Sequence, residues 1–204
     1  RFICRNKIDQ AVVCSVMPIA TKIARAWLRS TNVKATILNH NNCGLGIDYP
    51  KPETIGPDRL ANALSARAEF GSPVVVVDLG TAVTFDIVNQ YGDYTGGVIA
   101  PGLSAMTDHL HEKTALLPKI QLRDINSAIG KSTEQAMRIG AIHGYRGLIQ
   151  SLIKAIRDEL NAQSLPVIAT GGHAKLLAKG IPQISAVRPL LTLEGLRLAS
   201  ASGS

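Results

Sequence analysis

Apolar runs and helical stripes take turns along this chain, and their order sketches an architecture. Residues 11–17, AVVCSVM, form a continuous apolar run that predicts a buried strand, with Pro18 as its stop. Residues 19–30 predict a helix with Ile23, Trp27 and Leu28 on its apolar side. KATILNH predicts a short strand, and residues 41–57, with three prolines and three glycines, predict loop or turn. Residues 58–70, DRLANALSARAEF, read as an amphipathic helix with Asp58 near its start, where a carboxylate suits the helix dipole. VVVVDLGTAVTFDIVN is an apolar run into Asp78-Leu79-Gly80-Thr81 followed by a second strand. Residues 90–93 then turn the chain back into residues 94–99 as a hairpin. Helices are predicted over 103–114 and 132–161. The second keeps Ile142, Tyr145, Ile149, Leu152, Ile156 and Leu160 on one face. Its Gly140, Gly144 and Gly147 would permit close backbone approach by a packed helix, including one from another subunit. PVIATGG predicts a last buried strand, and helices follow at 173–179 and 190–199. Alternating strands and helices with one hairpin predict a layered α/β or α+β chain, without a long linker or an internal repeat.

Composition narrows the class. The 204 residues are 46% hydrophobic and 18% charged, which supports a sizeable core and excludes a wholly disordered chain. No apolar stretch approaches the ~18 residues of a transmembrane helix, and no basic-then-apolar leader precedes a small-residue cleavage site, so neither a membrane span nor secretion is expected. Cys4, Cys14 and Cys43 are odd in number and lack C-x-x-C spacing, which predicts a reducing cytoplasm rather than a disulfide scaffold or a zinc site. The net charge of +7 is concentrated in residues 1–34, where seven Lys/Arg face the single acid Asp9. Lys22, Arg25 and Arg29 recur at helical spacing, as on a solvated face, and no aromatics are interleaved to stack bases. Nucleic-acid binding is therefore not expected.

Three short segments can carry chemistry. In Asp78-Leu79-Gly80-Thr81 a strand ends in an acid, a glycine and a hydroxyl. The glycine lets a phosphate approach the backbone, and the acid can hold a cation that offsets phosphate charge; the segment is equally readable as a plain Asx turn. Ala169-Thr170-Gly171-Gly172 is a second strand-to-glycine turn of the kind that admits a base or phosphate against bare backbone, or else a tight strand–helix connection. Gly56-Pro57-Asp58-Arg59 sets a carboxylate beside a cation at a helix start. Phosphoryl transfer to an alcohol needs that pair, and helix capping would use it too. No G-x-x-x-x-G-K-[ST] occurs, which excludes a P-loop NTPase. His40, His109, His111, His143 and His173 lack ligand spacing and read as structural or solvated. Lys131-Ser132-Thr133 suits either an anion or a helix N-terminus.

Taken in order, GPDRLANALSA, VVVVDLGTAVTFDIV, GGVIAPG, GKSTEQAM and VIATGG resemble the type III pantothenate kinases over nearly the whole chain, from Ala11 to about Leu198. The resemblance implies the ATPase superfold shared with sugar kinases, acetate kinase and actin: two ribonuclease-H-like half-domains with mixed sheets flanked by helices. Residues 1–73 would be the remainder of the first and residues 74–204 the second. It implies ATP-dependent phosphorylation of pantothenate at its terminal hydroxyl, the first step towards coenzyme A, by a cytoplasmic homodimer. Asp58 resembles the general base. Tyr49, Gly56, Pro57, Asp58 and Arg59 resemble the pantothenate site, with Arg59 pairing with the substrate carboxylate, and Thr133 resembles a contact supplied across the dimer interface. Gly80 and Thr81 resemble the ATP-phosphate contact, and Thr170, Gly171 and Gly172 the adenosine motif. Asp78 resembles the ligand of a monovalent cation, K⁺ or NH₄⁺, while Mg²⁺ accompanies ATP.

One segment of the family pattern has no counterpart. The family opens with a strand and a D-x-G-N-T turn that cradles the ATP phosphates, whereas this sequence starts without Met and matches from a strand well downstream. Roughly 50 residues of that pattern are missing, which predicts an incomplete first half-domain and a truncated sequence. The alternative is a non-catalytic relative acting as a dimeric binding or regulatory protein. The joint presence of Asp58, Arg59, Asp78 and Thr81 favours the enzyme.

Overall fold

The computed structural model describes residue 8, residues 10–31 and residues 33–202. Cys4, Asp9 and the basic residues Arg1, Arg5 and Lys7 lie outside the described residues. The chain divides into two units. The first takes the chain up to Ser72, then Val88–Gly96 and everything from Leu190; the second takes Pro73–Ile87 and Gly97–Pro189.

In the first unit β1 (Gln10–Val13) and β2 (Lys34–Ile37) pair in parallel, Gln10 opposite Lys34 and Val13 opposite Ile37, with helix α1 (Pro18–Ser30) as the crossover that parallel strands need. The apolar run was expected to stay extended to Met17, but β1 ends at Val13. Ser15 Oγ accepts from the Met17 backbone N–H at 3.1 Å, which diverts the chain, and Pro18 then serves at the first helical position, where its missing N–H costs nothing. On the apolar side of α1 only Leu28 is buried, while Ile23 and Trp27 are 64% and 45% exposed. The stretch expected as loop contains β3 (Gly46–Ile47) and a 3₁₀ turn at Pro52–Thr54. Helix α2 (Pro57–Phe70) starts from Gly56, with Pro57 in its first turn, and buries every side chain from Leu60 to Ala66. The C-terminal helix of this unit, Leu191–Ser202, packs along α2. Gly195 brings its backbone against Ala61, and Thr192 Oγ1 donates to the buried Asn62 Oδ1 at 2.7 Å.

The second unit is built on β4 (Val74–Leu79), β5 (Ala82–Val88) and β6 (Asp93–Pro101), followed by α3 (Leu103–Lys113), α4 (Thr133–Glu159), β7 (Val167–Thr170), α5 (Ala174–Ala178) and β8 (Ala186–Val187). Strand order is β6-β5-β4-β7-β8. The tip of the β5–β6 hairpin, Val88–Gly96, belongs to the first unit, where β3 pairs with Asp93 and Tyr94. The hairpin turns as its sequence predicts: Asn89 Oδ1 accepts from the N–H of Tyr91 and Asp93, and Gly92 takes a φ of 87° that side chains other than glycine disfavour. Strand β4 pairs in parallel with β7, and β7 with β8. Val74 to Val77 are all buried, so both faces of β4 are covered, which explains an unbroken valine run where alternation would mark a one-sided strand. Ile142, Tyr145, Ile149, Ile153 and Ile156 of α4 share one core with Val75, Val77, Leu79, Val83 and Phe85. Burial holds the Tyr145 phenol above its ordinary pKa, and its hydroxyl donates to the Pro101 carbonyl.

Helix α4 opens with a reciprocal cap. Ser132 Oγ accepts from Gln135 N–H at 3.2 Å while Gln135 Oε1 accepts from Lys131 N–H at 2.8 Å. Further along, Arg138 and Arg146 fasten the preceding loop, the first by donating to Gln121 O and the second to Asp124, while Arg138 also pairs with Glu134 one turn back in its own helix. The Arg146 hydrogen bond lowers the Asp124 carboxyl below its ordinary value. Gly140, Gly144 and Gly147 are exposed, and a Cβ at any of them would meet open space, so the helix partner their spacing suggested is not supplied within this chain among the described residues. Among the described residues no helix is long and apolar enough to cross a membrane.

Candidate active site

The singled-out residues other than Thr133 fall into two clusters, one in each unit. In the second unit β4 and β7 run parallel with Asp78 opposite Thr170, so both strands end side by side. Ligands of parallel sheets gather beyond such carboxyl ends, where successive turns expose backbone N–H groups. Gly171 has a φ of 92°, and a Cβ there would lie 2.5 Å from Asp78 Oδ1 and 2.7 Å from the backbone N and C of Leu79. Only glycine lets the two turns touch. Gly80 sits on the other side of the same carboxylate, with a Cβ position 3.4 Å from Asp78 Oδ1. Its N–H donates to Ala82 O at 3.1 Å and leaves Thr81 exposed at the tip. Gly102 ties the next turn in by donating its N–H to Thr81 O at 3.0 Å. Thr170 is buried, whereas Gly172 faces open space.

His173 closes this cluster. Its backbone N–H donates to Leu79 O at 3.1 Å, and its ring Nε2 lies 3.4 Å from Ser104 Oγ. By spacing alone all five histidines are expected to be structural or solvated. The only signal that set this one apart was its place next to the Gly171-Gly172 turn.

In the first unit the cluster forms where α2 begins. Gly56, Pro57, Asp58 and Arg59 are all half-buried. A Cβ at Gly56 would fall 2.5 Å from Asp58 Oδ1, so the glycine makes room for the carboxylate. The Arg59 guanidinium carbon lies 5.8 Å from the centre of the Tyr94 ring, within cation–π range. Tyr49 meets the same ring edge-on, with centroids 6.3 Å apart and planes at 70°. Arg59 and Tyr49 are thus joined by Tyr94, a residue that no motif in the sequence marks. Its period-2 place on a strand marks it only as one more buried aromatic.

Thr133 is the first residue of α4 and is exposed; among the described residues no hydrogen bond ties it to the Asp78–Gly171 cluster. Cys14, just past β1, feels the acid of the first-unit cluster. Burial, and second the charge of Asp58, push its thiol from an ordinary 9.0 up to about 11. At pH 8 only about one thiol in a thousand is then thiolate, so Cys14 should alkylate far more slowly than an unstructured cysteine. Replacing Asp58 by Asn should speed that reaction, measured by peptide mass mapping after timed iodoacetamide treatment; an unchanged rate would count against the coupling. An acid whose pKa is raised on folding stabilises the folded state below its unfolded value. The stability Cys14 contributes should therefore fade as pH rises from about 9 to about 11.

The chain has clear relatives. A family model described as type III pantothenate kinase matches residues 2–155. A type III pantothenate kinase of Akkermansia muciniphila is 47% identical over 196 residues, covering 95% of this chain and 79% of the relative. One of Methylacidiphilum infernorum is 50% identical over 194 residues, covering 94% of this chain and 70% of the relative. Among solved structures, a Campylobacter jejuni protein described as a Baf family transcriptional activator superposes with a TM-score of 0.63 at 20% identity, over 97% of this chain and 85% of that one. At that identity the likeness carries the fold alone.

Proposed function

This chain belongs to the type III pantothenate kinases, and from that membership we infer that it transfers the γ-phosphoryl group of ATP to the terminal hydroxyl of pantothenate, the step that commits pantothenate to coenzyme A. The observation that carries the reading to particular atoms is the Asp58–Arg59 pair at the start of α2, with Arg59 against Tyr94 and Tyr94 against Tyr49. Phosphoryl transfer asks little covalent chemistry of the protein. It asks for a placed hydroxyl, an acceptor for its proton and fixed positive charge near the phosphates.

In this reading Arg59 pairs with the pantothenate carboxylate, Tyr49 and the 56–58 turn line the pocket, and Asp58 accepts the proton as the hydroxyl attacks. The exposed Thr81, next to Gly80, receives ATP phosphate, with Mg²⁺ arriving as part of the nucleotide. Thr170, Gly171 and Gly172 lie along the adenosine. The Asp78 carboxylate lies in a cradle that a Cβ at Gly171 would fill and offers a hard oxygen ligand beside the backbone of Leu79. Among the described residues no group of three or more His, Cys, Asp or Glu could hold a metal ion. One carboxylate with backbone oxygens suits K⁺ or NH₄⁺ rather than a transition metal. A monovalent cation held there supplies positive charge near the nucleotide's phosphates.

A homodimer fits the bare glycine face of α4. Gly140, Gly144 and Gly147 permit close helix approach, and Thr133 at the head of the same helix would then reach a partner's pocket. A cytoplasmic setting follows from the same reading, since ATP and pantothenate meet there.

Transfer of label from [γ-³²P]ATP to pantothenate, in Mg²⁺ with either K⁺ or Na⁺, tests the reading. Labelled phosphopantothenate is expected in K⁺, at least about tenfold faster than in Na⁺. A chain that binds both substrates yet transfers no label would overturn it.

A further inference from the structure

We infer that Tyr94 is a positioning residue for pantothenate recognition: its single buried ring sets both the Arg59 guanidinium and the Tyr49 phenol. This rests on the reading of Arg59 and Tyr49 as pantothenate contacts. Tyr94 is fully buried, so it cannot itself act as an exposed substrate ligand in this structure. Its two neighbours are only half-buried (Arg59) or 38% exposed (Tyr49) and so stay within reach of a solute.

The backbone around Tyr94 is held at several points. Strand β3 pairs with β6 with Ile47 opposite Tyr94, and Asp48 N–H donates to Tyr94 O at 2.9 Å. The segment leading to Tyr49 is therefore hung directly on the Tyr94 backbone. Gly96, two residues on, has a φ of 119°, and a Cβ there would come within 3.3 Å of Tyr49 Cε2. The glycine leaves room for the Tyr49 ring. Arg67 of α2 pins the hairpin tip, donating to Gly92 O at 3.1 Å and to Gly44 O at 2.8 Å. The hairpin tip that carries Tyr94 is thus tied to α2, the helix that carries Asp58 and Arg59.

An arginine side chain has several rotatable bonds, and ordering it on binding costs affinity. A cation–π contact holds the charge against a ring face, and a planar carboxylate pairs with a guanidinium in bidentate form only when the guanidinium plane is correctly set. Tyr94 would set the guanidinium in advance of the substrate, while the edge-on contact sets the phenol beside it.

The test is pantothenate affinity of the full chain by titration calorimetry, with ATP affinity and the unfolding midpoint followed in parallel. Tyr94→Phe keeps the ring and should bind pantothenate within about threefold of the parent. Tyr94→Leu removes the π face and should weaken pantothenate about tenfold, with ATP affinity unchanged. Progressively fluorinated phenylalanines at position 94 keep the shape while draining the ring's negative face, so pantothenate affinity should fall stepwise along the series; a merely structural role would not produce that trend. Flat affinity across the fluorinated series, with Arg59→Ala weakening binding, overturns the inference and leaves the site reading intact. Unchanged pantothenate affinity in Arg59→Ala overturns the site reading and the inference with it.

Discussion

Replacing Asp58 by Asn should cut phosphorylation of pantothenate by about 10³-fold while leaving the fold and both substrate affinities nearly unchanged. The amide keeps the shape of the carboxylate, including the fit against Gly56, but cannot take the hydroxyl proton. Asp58 also lies in the first turn of α2, where its charge favours the helix dipole by about 0.3–1 kcal/mol, so a small drop in the unfolding midpoint should accompany the loss. Single-turnover rates with saturating ATP and pantothenate separate the chemical step from binding. If the Asn variant turns over at more than a tenth of the parental rate, the base lies elsewhere and the two clusters need a different division of labour. If turnover and pantothenate affinity collapse together, Asp58 acts in binding rather than as a base.

Gly171→Ala is the second change expected to have a large effect. Two costs fall on one methyl group. The φ of 92° disfavours any residue with a Cβ, and the new atom would stand 2.5 Å from Asp78 Oδ1 and 2.7 Å from Leu79 backbone atoms that cannot move without shifting β4. Strain and overlap together should destabilise the chain by about 2–5 kcal/mol. Because the methyl displaces the Asp78 carboxylate and the turn before Gly80, ATP affinity should fall more than tenfold at temperatures where the variant remains folded. Gly172→Ala is the internal control, since its Cβ would meet open space. Denaturant unfolding of the two variants side by side decides the matter: equal stability would mean that the contact between the β4 and β7 turns does not constrain position 171.

Local patterns carried much of the architecture. The valine run into Asp78, the hairpin turn with Gly92, the proline and glycine at the start of α2, the capped start of α4 and its apolar stripe each depend on neighbours a few residues apart. Helix ends and turns are decided at that range. The same holds for the candidate chemistry as a set of short segments, because an acid, a glycine and a hydroxyl in one turn are adjacent in the chain.

Four features were beyond sequence alone. The stripe of α1 announces an apolar side but cannot say what lies against it, and Ile23 and Trp27 are exposed while Leu28 is buried. The last helix gives no local sign that it returns to α2, a pairing made through Asn62 and Thr192, 130 positions apart. Gly171 and Asp78 become neighbours only because β4 and β7 pair in parallel across the intervening helices. Tyr94 becomes the hub of Arg59 and Tyr49 only when the hairpin tip is drawn onto α2 by Arg67.

The sequence by itself determined most of the longer strands and helices, their turns, and which residue types stand ready for phosphoryl chemistry, since these follow from backbone conformation and near-neighbour spacing. Only the tertiary structure decided which of those residues share a site, because strand pairing and helix packing join positions whose separation along the chain carries no periodic signal.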